Sequence, residues 1–352
     1  MYPRINVNLK HLEHNVKFLF NELNYLDELF VVTKVYSAYE PIVDKFYEWG
    51  VRCFADSRGI NLKSIKERYP DATTLQLRLP MAEEISKMIH YADRSLNSEI
   101  STIKLINEAC LQANKTHDII LMIDVGDLRE GIMYNSDYKA FVKEIIGLEK
   151  VNLIGIGTNV TCYGSVIPTK DTIQTLVDIR DDLEKEFNIK IPVISGGNSS
   201  SLYLHFNGTM PQGVTNLRVG DAFMSGIEAA YSQPIEGMYG DICQLEAKII
   251  ELKDKPSYPI GELGVNAFGE TVEYEDVGIH TRAILAIGRQ DVSQDDIIPL
   301  NDDVIVLGSS SDHLILEVPK DKYHVGDTIL FKLKYGGVLS LFTSRYVHKN
   351  LF

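Results

Sequence analysis

An alternation of short apolar runs with helix-length stretches dominates the first two thirds of this chain, and it constrains the fold more than any other feature. The runs are rich in aliphatic and β-branched residues, as strands buried on both faces are. Each run except the last precedes a stretch long enough for a helix, such as TIQTLVDIRDDLEKEF at 172–187. The eight runs are LFVVTK (29–34), RCFADS (52–57), TTLQLRL (73–79), RSLNSE (94–99), DIILMIDV (118–125), LIGIGTNV (153–160), IPVISGG (191–197) and NLRVGDAFM (216–224).

This pattern predicts parallel βα units, which either close into a barrel or stay open as a doubly wound sheet. The count of eight, the spacing of roughly 20 to 35 residues and the chain length favour a (β/α)8 TIM barrel. No GxGxxG motif follows the first strand, which weakens the dinucleotide-binding alternative. We therefore expect a barrel over residues 1–230.

The pattern changes after about residue 230. Short alternating strands separated by Gly, Pro, Asp and Asn turns replace the βα units, and no helix is evident among them. We expect residues 231–352 to form a C-terminal antiparallel β-domain. The opening PRINVNL also alternates, so the first ten or so residues can pair with that domain.

Charge and cysteine usage exclude several classes of partner. The net charge is −14 and the acidic residues are spread along the chain, which disfavours nucleic acid and anionic membrane as partners. No apolar run approaches membrane-spanning length, and no signal peptide is visible. The four cysteines show no metal-ligand spacing, which together with the missing signal peptide predicts a cytoplasmic protein with free thiols and no metal site.

Lys34 ends the first predicted strand, and active sites of such barrels lie at the carboxyl ends of the strands. A lysine there can be a solvated cap or a salt-bridge partner. Alternatively, a partly buried lysine that loses its proton can form a Schiff base with an aldehyde.

Polar residues at three other strand ends point to a phosphorylated ligand. Asp124 and Asp127 with Arg129 form either an ordinary turn held by ion pairs or an arginine aimed across the barrel mouth. The glycines and serines of 195–201 suit either a turn or a phosphate cradle. Arg218 lies inside a strand and needs a partner. A phosphate loop, a barrel-lining arginine and a strand-end lysine together suggest pyridoxal phosphate.

In this order, the residues resemble the alanine racemase family of pyridoxal phosphate enzymes, which combine a (β/α)8 barrel with a β-domain. The resemblance runs from Lys34 to Tyr335 and is strongest to ornithine-racemase-like members. It is carried by VVTKV (31–35), IDVGDLREGI (123–132), GIGTNVTCYG (155–164) and SSDHLILEV (310–318).

The resemblance implies a role for each matching position. Lys34 matches the lysine that binds the cofactor covalently and acts as one racemisation base, and Arg129 the arginine near the cofactor's phenolic oxygen and the substrate carboxylate. Asn159 stands where alanine racemases carry a histidine against the cofactor ring. Arg218 matches the arginine that faces the pyridine nitrogen. The expected phosphate contacts come from Asn198, Ser199, Ser200, the backbone of Gly220 and Asp221, and Tyr335.

The sequence departs from the family at the second base. Alanine racemases use a tyrosine from the partner subunit, whereas the matching segment here offers Leu263 or Phe268. The nearest titratable alternatives are Tyr274, His280 and His313. Asp312 matches the segment that borders the substrate carboxylate, although a plain turn residue is the alternative. Met122 stands at the position of an otherwise carbamylated lysine.

These features and the resemblance predict a pyridoxal phosphate-dependent racemase acting on ornithine or a similar basic amino acid. The resemblance alone implies a homodimer with shared active sites. Alanine or lysine racemisation is the alternative within this chemistry. Decarboxylation is disfavoured, because decarboxylases of this barrel type present an acidic residue to the ring nitrogen, whereas Arg218 is basic. A non-catalytic cofactor-binding protein is the alternative from another class, and the predicted β-domain disfavours it.

Overall fold

A computed structural model describes all residues, Met1–Phe352, in two compact units: Leu12–Gly240, and Met1–His11 together with Asp241–Phe352. The strands are β1 (Arg4–Val7), β2 (Glu28–Val32), β3 (Cys53–Asp56), β4 (Thr73–Gln76), β5 (Arg94–Asn97), β6 (His117–Asp124), β7 (Ile132–Met133), β8 (Val151–Gly157), β9 (Val193–Ser195), β10 (Asn216–Val219), β11 (Ile227–Glu228), β12 (Gln233–Pro234), β13 (Cys243–Pro256), β14 (Ile279–Leu285), β15 (Ile297–Pro299), β16 (Ile305–Ser309), β17 (Leu314–Glu317), β18 (Thr328–Leu333) and β19 (His348–Leu351). The helices are α1 (Leu9–Glu22), α2 (Glu40–Glu48), α3 (Gly59–Arg68), α4 (Ala82–Met88), α5 (Ile100–Ala113), α6 (Tyr138–Ile146), α7 (Lys170–Phe187), α8 (Leu202–Phe206), α9 (Asp221–Ser225) and α10 (Tyr335–Thr343).

The first unit is a closed barrel of eight parallel strands, which confirms the predicted fold. The strands follow one another in the order β2, β3, β4, β5, β6, β8, β9 and β10, and pairing of β10 with β2 closes the ring. Each lies within one of the eight predicted runs or within two residues of it. Consecutive parallel strands joined through helices on the outside are the geometry that right-handed βα crossovers produce.

Apolar side chains at alternate strand positions fill the barrel. The cluster comprises Phe30, Val32, Ala55, Leu75, Leu96, Ile120, Met122 and Val193. Burying a side chain of this size stabilises the fold by about 1.5–3 kcal/mol. Because successive residues of a strand face opposite sides, this cluster identifies which positions of each strand face the interior.

The helix α7 shows why the intervening stretches are helical. Thr169 and Thr172 exchange side chain-to-backbone hydrogen bonds at its amino end, and Asn188 ends it in a left-handed conformation. One face buries Ile173, Leu176, Val177, Ile179 and Leu183. An 18-residue helix rich in charged residues is thus stabilised by its caps and one apolar stripe.

The second unit is an antiparallel sheet built around β13. This 14-residue strand pairs with β1, β14 and β18, with a bulge between Ile249 and Glu251 that bends it. The amino-terminal β1 also pairs in parallel with β19.

One element of the second unit differs from the sequence analysis, which found no helix among its strands. The helix α10 follows β18 and buries Gly337, Val338, Leu341 and Phe342. Its first turn contains two glycines, which lower helix propensity and hide the helical pattern. No helix of the protein is long and apolar enough to cross a membrane.

Candidate active site

Lys34 begins a single turn of 3-10 helix directly after β2. The turn is held by the buried Thr33, whose hydroxyl donates to Asp56 Oδ2 at 2.6 Å and whose carbonyl accepts from the Ala38 amide at 3.0 Å. Burial raises the pKa of Asp56, opposed by hydrogen bonds from Thr33, Arg58 and Asn61. The backbone at Lys34 is therefore anchored to the neighbouring strand end.

The Lys34 amine makes no hydrogen bond and no ion pair within the chain, so it is not the salt-bridge partner that the sequence offered as one alternative. Its charge does act on Asp221, the first residue of α9. Burial raises the pKa of Asp221 to about 6, opposed by the Ser225 hydrogen bond and by the positive charge of Lys34.

The strand pairing explains why Asp221 lies near Lys34. Val219 of β10 is opposite Val31 of β2, so the following residue, Gly220, lies against Val32. A Cβ on Gly220 would lie 2.8 Å from the Cβ of Val32. Only glycine allows this close approach of the two strand ends.

Arg218 of β10 is a fully buried guanidinium with neutral partners. It donates to the hydroxyl of Ser195, to the Thr158 carbonyl oxygen at 2.6 Å and to Asn159 Oδ1 at 3.0 Å. The pKa of Arg218 is lowered to about 10, mainly by burial and to a smaller extent by the charge of Arg129, while the charge of Glu130 opposes the shift. A cation is thus held inside the barrel without direct contact to a carboxylate.

The loop after β6 is folded back on itself. Asp124 Oδ1 accepts the amides of Gly126 at 2.7 Å and Leu128 at 3.2 Å, and Leu128 adopts a left-handed conformation. Gly131 has φ +129°, and a Cβ there would lie 2.5 Å from the Asp124 amide nitrogen. The turn is therefore held by hydrogen bonds from backbone amides to the Asp124 carboxylate, rather than by the ion pairs with Arg129 that the sequence suggested.

Asp127 joins this loop to the one after β8. Its carboxylate accepts the amides of Thr161 and Tyr163 at 3.0 Å and of Val166 at 3.3 Å. A buried carboxylate that accepts three amides is committed to structure. It fixes the two loops that carry Arg129 and Asn159.

Arg129 and Glu130 form an ion pair that extends to Arg218. Arg129 Nη2 donates to Glu130 Oε1 at 2.6 Å, and the same Oε1 accepts from Asn159 Nδ2 at 2.7 Å. Asn159 Oδ1 in turn accepts from Arg218. Four residues from three strand ends therefore form one hydrogen-bonded chain.

The loop after β9 carries Asn198, Ser199 and Ser200. Asn198 Oδ1 accepts the Ser200 amide at 2.8 Å, while its Nδ2 donates to the Val160 carbonyl at 3.1 Å. The Ser199 hydroxyl oxygen lies 3.4 Å from the amide of Gly220 and 3.5 Å from that of Ala222. These distances are at the long limit for hydrogen bonds, so both amides are only weakly satisfied.

This donor set has the chemistry that a phosphorylated aldehyde requires. Weakly satisfied amides and serine hydroxyls suit phosphate oxygens, and an uncommitted lysine suits an aldehyde carbon. A buried, charged arginine at the same strand ends suits an aromatic nitrogen lone pair. The residues of the barrel unit therefore fit pyridoxal phosphate.

Two predicted site residues lie in the other unit. Tyr335 is the first residue of α10, and its side chain is 40% exposed. Asp312 lies in the exposed turn between β16 and β17, where its carboxylate accepts from the Ser311 hydroxyl at 2.8 Å. Their roles at the site stay predictions.

The candidates for a second base differ in whether their titratable atoms are already hydrogen-bonded within the chain. His280 uses both ring nitrogens, one with Glu317 at 2.8 Å and one with Arg282 at 2.9 Å. Tyr274 and His313 are exposed. Phe268, one of the two residues that could match the family's tyrosine, lies beneath the Arg289 guanidinium at 4.1 Å.

Sequence reasoning did not single out Glu130, Ser195 or Asn216. Ser195 donates its hydroxyl proton to Asn216 Oδ1 and accepts from Arg218, so both support the arginine from within the barrel. A period-two reading of β10 would have found Asn216, which is two residues from Arg218 and faces the same side. No pattern marked Glu130, because adjacent charges in a loop have no defined geometry.

Comparison with known proteins identifies related chains. The family described as alanine racemase, N-terminal domain, matches residues 7–226. An ornithine racemase from Acetoanaerobium sticklandii is 46% identical over 354 residues, covering 100% of both chains. A lysine racemase from Thermotoga maritima is 36% identical over 351 residues, covering 99% of this chain and 98% of the relative.

A solved structure supports the same fold. The alanine racemase from Streptomyces coelicolor A3(2) superposes with a TM-score of 0.76 at 14% sequence identity, covering 99% of this chain and 97% of that one. At this identity the likeness concerns the fold alone.

Proposed function

This chain belongs to the alanine racemase family, whose members are pyridoxal phosphate enzymes, and is an amino-acid racemase; on that premise we propose that it uses pyridoxal phosphate to interconvert L- and D-ornithine or a similar basic amino acid. Both curated relatives are named for racemising a basic amino acid, and the one named for ornithine is the more similar.

The observation that carries this proposal is the uncommitted Lys34 amine at the end of β2. It shares the carboxyl ends of the barrel strands with the buried Arg218 and the Ser199 hydroxyl. An amine that no carboxylate or carbonyl oxygen of the chain engages is open to bond with an aldehyde carbon. Its environment therefore supports a nucleophilic and proton-transferring role.

Each residue then has a proposed task. We assign cofactor binding to Lys34, Arg129, Asn159, Asn198, Ser199, Ser200, Arg218, Gly220, Asp221 and Tyr335. Arg129 and Asp312 border the substrate carboxylate in this proposal. The amides of Gly220 and Ala222 and the Ser199 hydroxyl, which now satisfy one another only weakly, support phosphate binding.

When bound, pyridoxal phosphate supplies the electron-withdrawing ring that acidifies the α-hydrogen of the amino acid. The Lys34 amine removes that proton from one face of the α-carbon or returns it there. A second side chain must serve the opposite face, and Tyr274 or His313 fits because both are exposed. Arg218 keeps its own proton, since even its lowered pKa is about 10.

We also propose a cytoplasmic homodimer with shared active sites. The four cysteines are free thiols, which supports a reducing compartment. The segment 258–279 exposes nine large apolar side chains, more than an isolated surface loop needs, which supports contact with a second copy.

The deciding experiment is a chirality panel on the purified protein. We expect visible absorbance from bound cofactor, loss of optical rotation from L-ornithine, and weaker or no loss from L-lysine and L-alanine. Lys34→Ala should abolish turnover and the covalently bound absorbance, while circular dichroism stays unchanged.

Other outcomes separate the alternatives. Faster turnover of lysine or alanine would move the substrate assignment to those amino acids. Cofactor binding without turnover of any amino acid would indicate a carrier, and wild-type protein that binds no pyridoxal phosphate would refute the proposal altogether.

A further inference from the structure

A single carboxylate lies between the two guanidinium groups of the barrel mouth. Glu130 contacts Arg129 directly, and through Asn159 it is linked to Arg218. We propose that Glu130 is a positioning residue, whose carboxylate orients Arg129 by direct contact and Arg218 through the Asn159 amide. This inference rests on the proposed function for its catalytic consequence, whereas the hydrogen-bonded chain itself does not depend on a cofactor.

The charge balance of the site supports this role. The three hydrogen-bond partners of Arg218 are two side-chain oxygens and a backbone carbonyl, all neutral. Two guanidinium groups close to one another repel, and the charge of Arg129 indeed disfavours that of Arg218. The negative charge of Glu130 favours the charged form of Arg218. Solvent screens this charge only weakly, because the Glu130 side chain is 15% exposed.

The orientation of Asn159 follows from the chemistry of its neighbours. Its Oδ1 faces the Arg218 guanidinium and the Asn198 Nδ2, both donors. Its Nδ2 faces the Glu130 carboxylate, which only accepts. A flipped amide would oppose donor to donor and acceptor to acceptor, so this orientation alone satisfies all three partners.

The backbone around Glu130 is rigid enough to hold a side chain in place. Asp124 ties the loop at Gly126 and Leu128, and Gly131 packs against the backbone of β6. The next two residues form β7, which pairs with the end of β6. A carboxylate on such a loop can orient its partners, because little ordering remains to be done when a ligand binds.

The variant that tests this role is Glu130→Gln, which keeps the shape and removes the charge. We expect kcat/KM for ornithine to fall at least tenfold and the Kd of the cofactor-free protein for pyridoxal phosphate, followed by fluorescence, to rise at least fivefold. Glu130→Asp retains a carboxylate and should recover part of both losses.

A matched control exists in α7, where Arg180 and Asp181 form another ion pair between adjacent residues. Asp181 is 63% exposed and lies in a helix on the outside of the barrel. Asp181→Asn should change kcat/KM and the cofactor Kd less than twofold. If Glu130→Gln behaves like this control, or if Glu130→Asp is as impaired as Glu130→Gln, the proposal is wrong.

A further measurement does not depend on the cofactor. In the cofactor-free full chain, Glu130→Gln and Asn159→Ala interrupt the same chain of hydrogen bonds. The unfolding constant of the double variant should therefore equal that of the more damaging single variant, rather than the product of both effects. Multiplying effects would refute the coupling between Glu130 and Asn159 on which the link to Arg218 depends.

The cofactor-binding and unfolding experiments distinguish a failure of the proposed racemase function from a failure of the proposed role of Glu130. Wild-type protein that binds no pyridoxal phosphate, or binds it without racemising any amino acid, would remove the proposed function. The unfolding measurement would still decide whether Glu130 and Asn159 act together.

Discussion

At the scale of single residues, Arg218 shows most clearly that the barrel interior serves more than stability. Placing a cation in a dry interior costs several kcal/mol unless its partners compensate. Its direct partners are Ser195, Thr158 and Asn159, none of them charged. A core built for stability alone would fill this position with an apolar side chain, as it does at Phe30 and Val32.

Asp221 yields a prediction about pH. Its folded-state pKa is about 6, above the value of about 3.9 for an unfolded chain, so folding favours the protonated carboxyl. The resulting destabilisation is absent below about pH 4, grows between about pH 4 and 6, and is complete above about pH 6. Asp221→Asn should therefore stabilise the cofactor-free protein at pH 8 by on the order of 2–3 kcal/mol, and progressively less towards pH 4.5.

Urea denaturation of both proteins between pH 4.5 and 8 measures this difference. A difference that stays constant across the range would contradict the assignment of the titration to Asp221.

At the scale of elements, the loop after β6 depends on two glycines with nearly equal backbone angles. Gly126 has φ +127° and open space where a Cβ would lie, whereas Gly131 has φ +129° and a Cβ there would meet the Asp124 backbone. Both alanine variants carry the same backbone strain, but only Gly131→Ala adds a clash.

We expect Gly131→Ala to lower the free energy of unfolding by about 1–3 kcal/mol more than Gly126→Ala does. Because Gly131 follows Glu130, its variant should also lose more kcat/KM for ornithine. Chemical denaturation and steady-state kinetics of the pair measure both quantities, and equal losses would show that strain, not the clash, governs this loop.

At the scale of the whole molecule, shared active sites predict complementation between inactive variants. Lys34→Ala lacks one base, and Tyr274→Phe or His313→Gln removes a candidate for the other. In a mixture refolded together, half the dimers are hybrids with one intact site, so roughly a quarter of wild-type activity should return. Only the variant that removes the true second base should complement Lys34→Ala.

Size-exclusion chromatography of each parent is the control, since complementation requires that both still form dimers. A Tyr274→Phe or His313→Gln parent that is active on its own would show that its residue is not the second base. If an inactive parent and Lys34→Ala give an inactive mixture although hybrids form, then each site is built within one chain.

The barrel and the positions at its strand ends follow from the amino-acid pattern alone. Eight apolar runs with helical stretches between them have few ways to bury their apolar faces, and parallel strands bring their carboxyl ends to one edge. This physical constraint is why Lys34, Ser199 and Arg218 could be named from their positions, whereas Asn159 was named from the family resemblance alone. The helix α10 escaped notice because its glycines weaken the local signal on which such reasoning depends.

Which polar side chains meet is a matter of tertiary packing. The carboxylates of Asp124 and Asp127 accept hydrogen bonds from backbone amides and not from Arg129. Arg129 pairs with Glu130 instead. A hydrogen bond between two loops forms or fails with a change of a few tenths of an ångström in the donor–acceptor distance. When the loops are far apart in the chain, no residue pattern encodes that distance. The order of residues thus places the chemistry at one end of the barrel, and the packing of the loops sets how its charges are balanced.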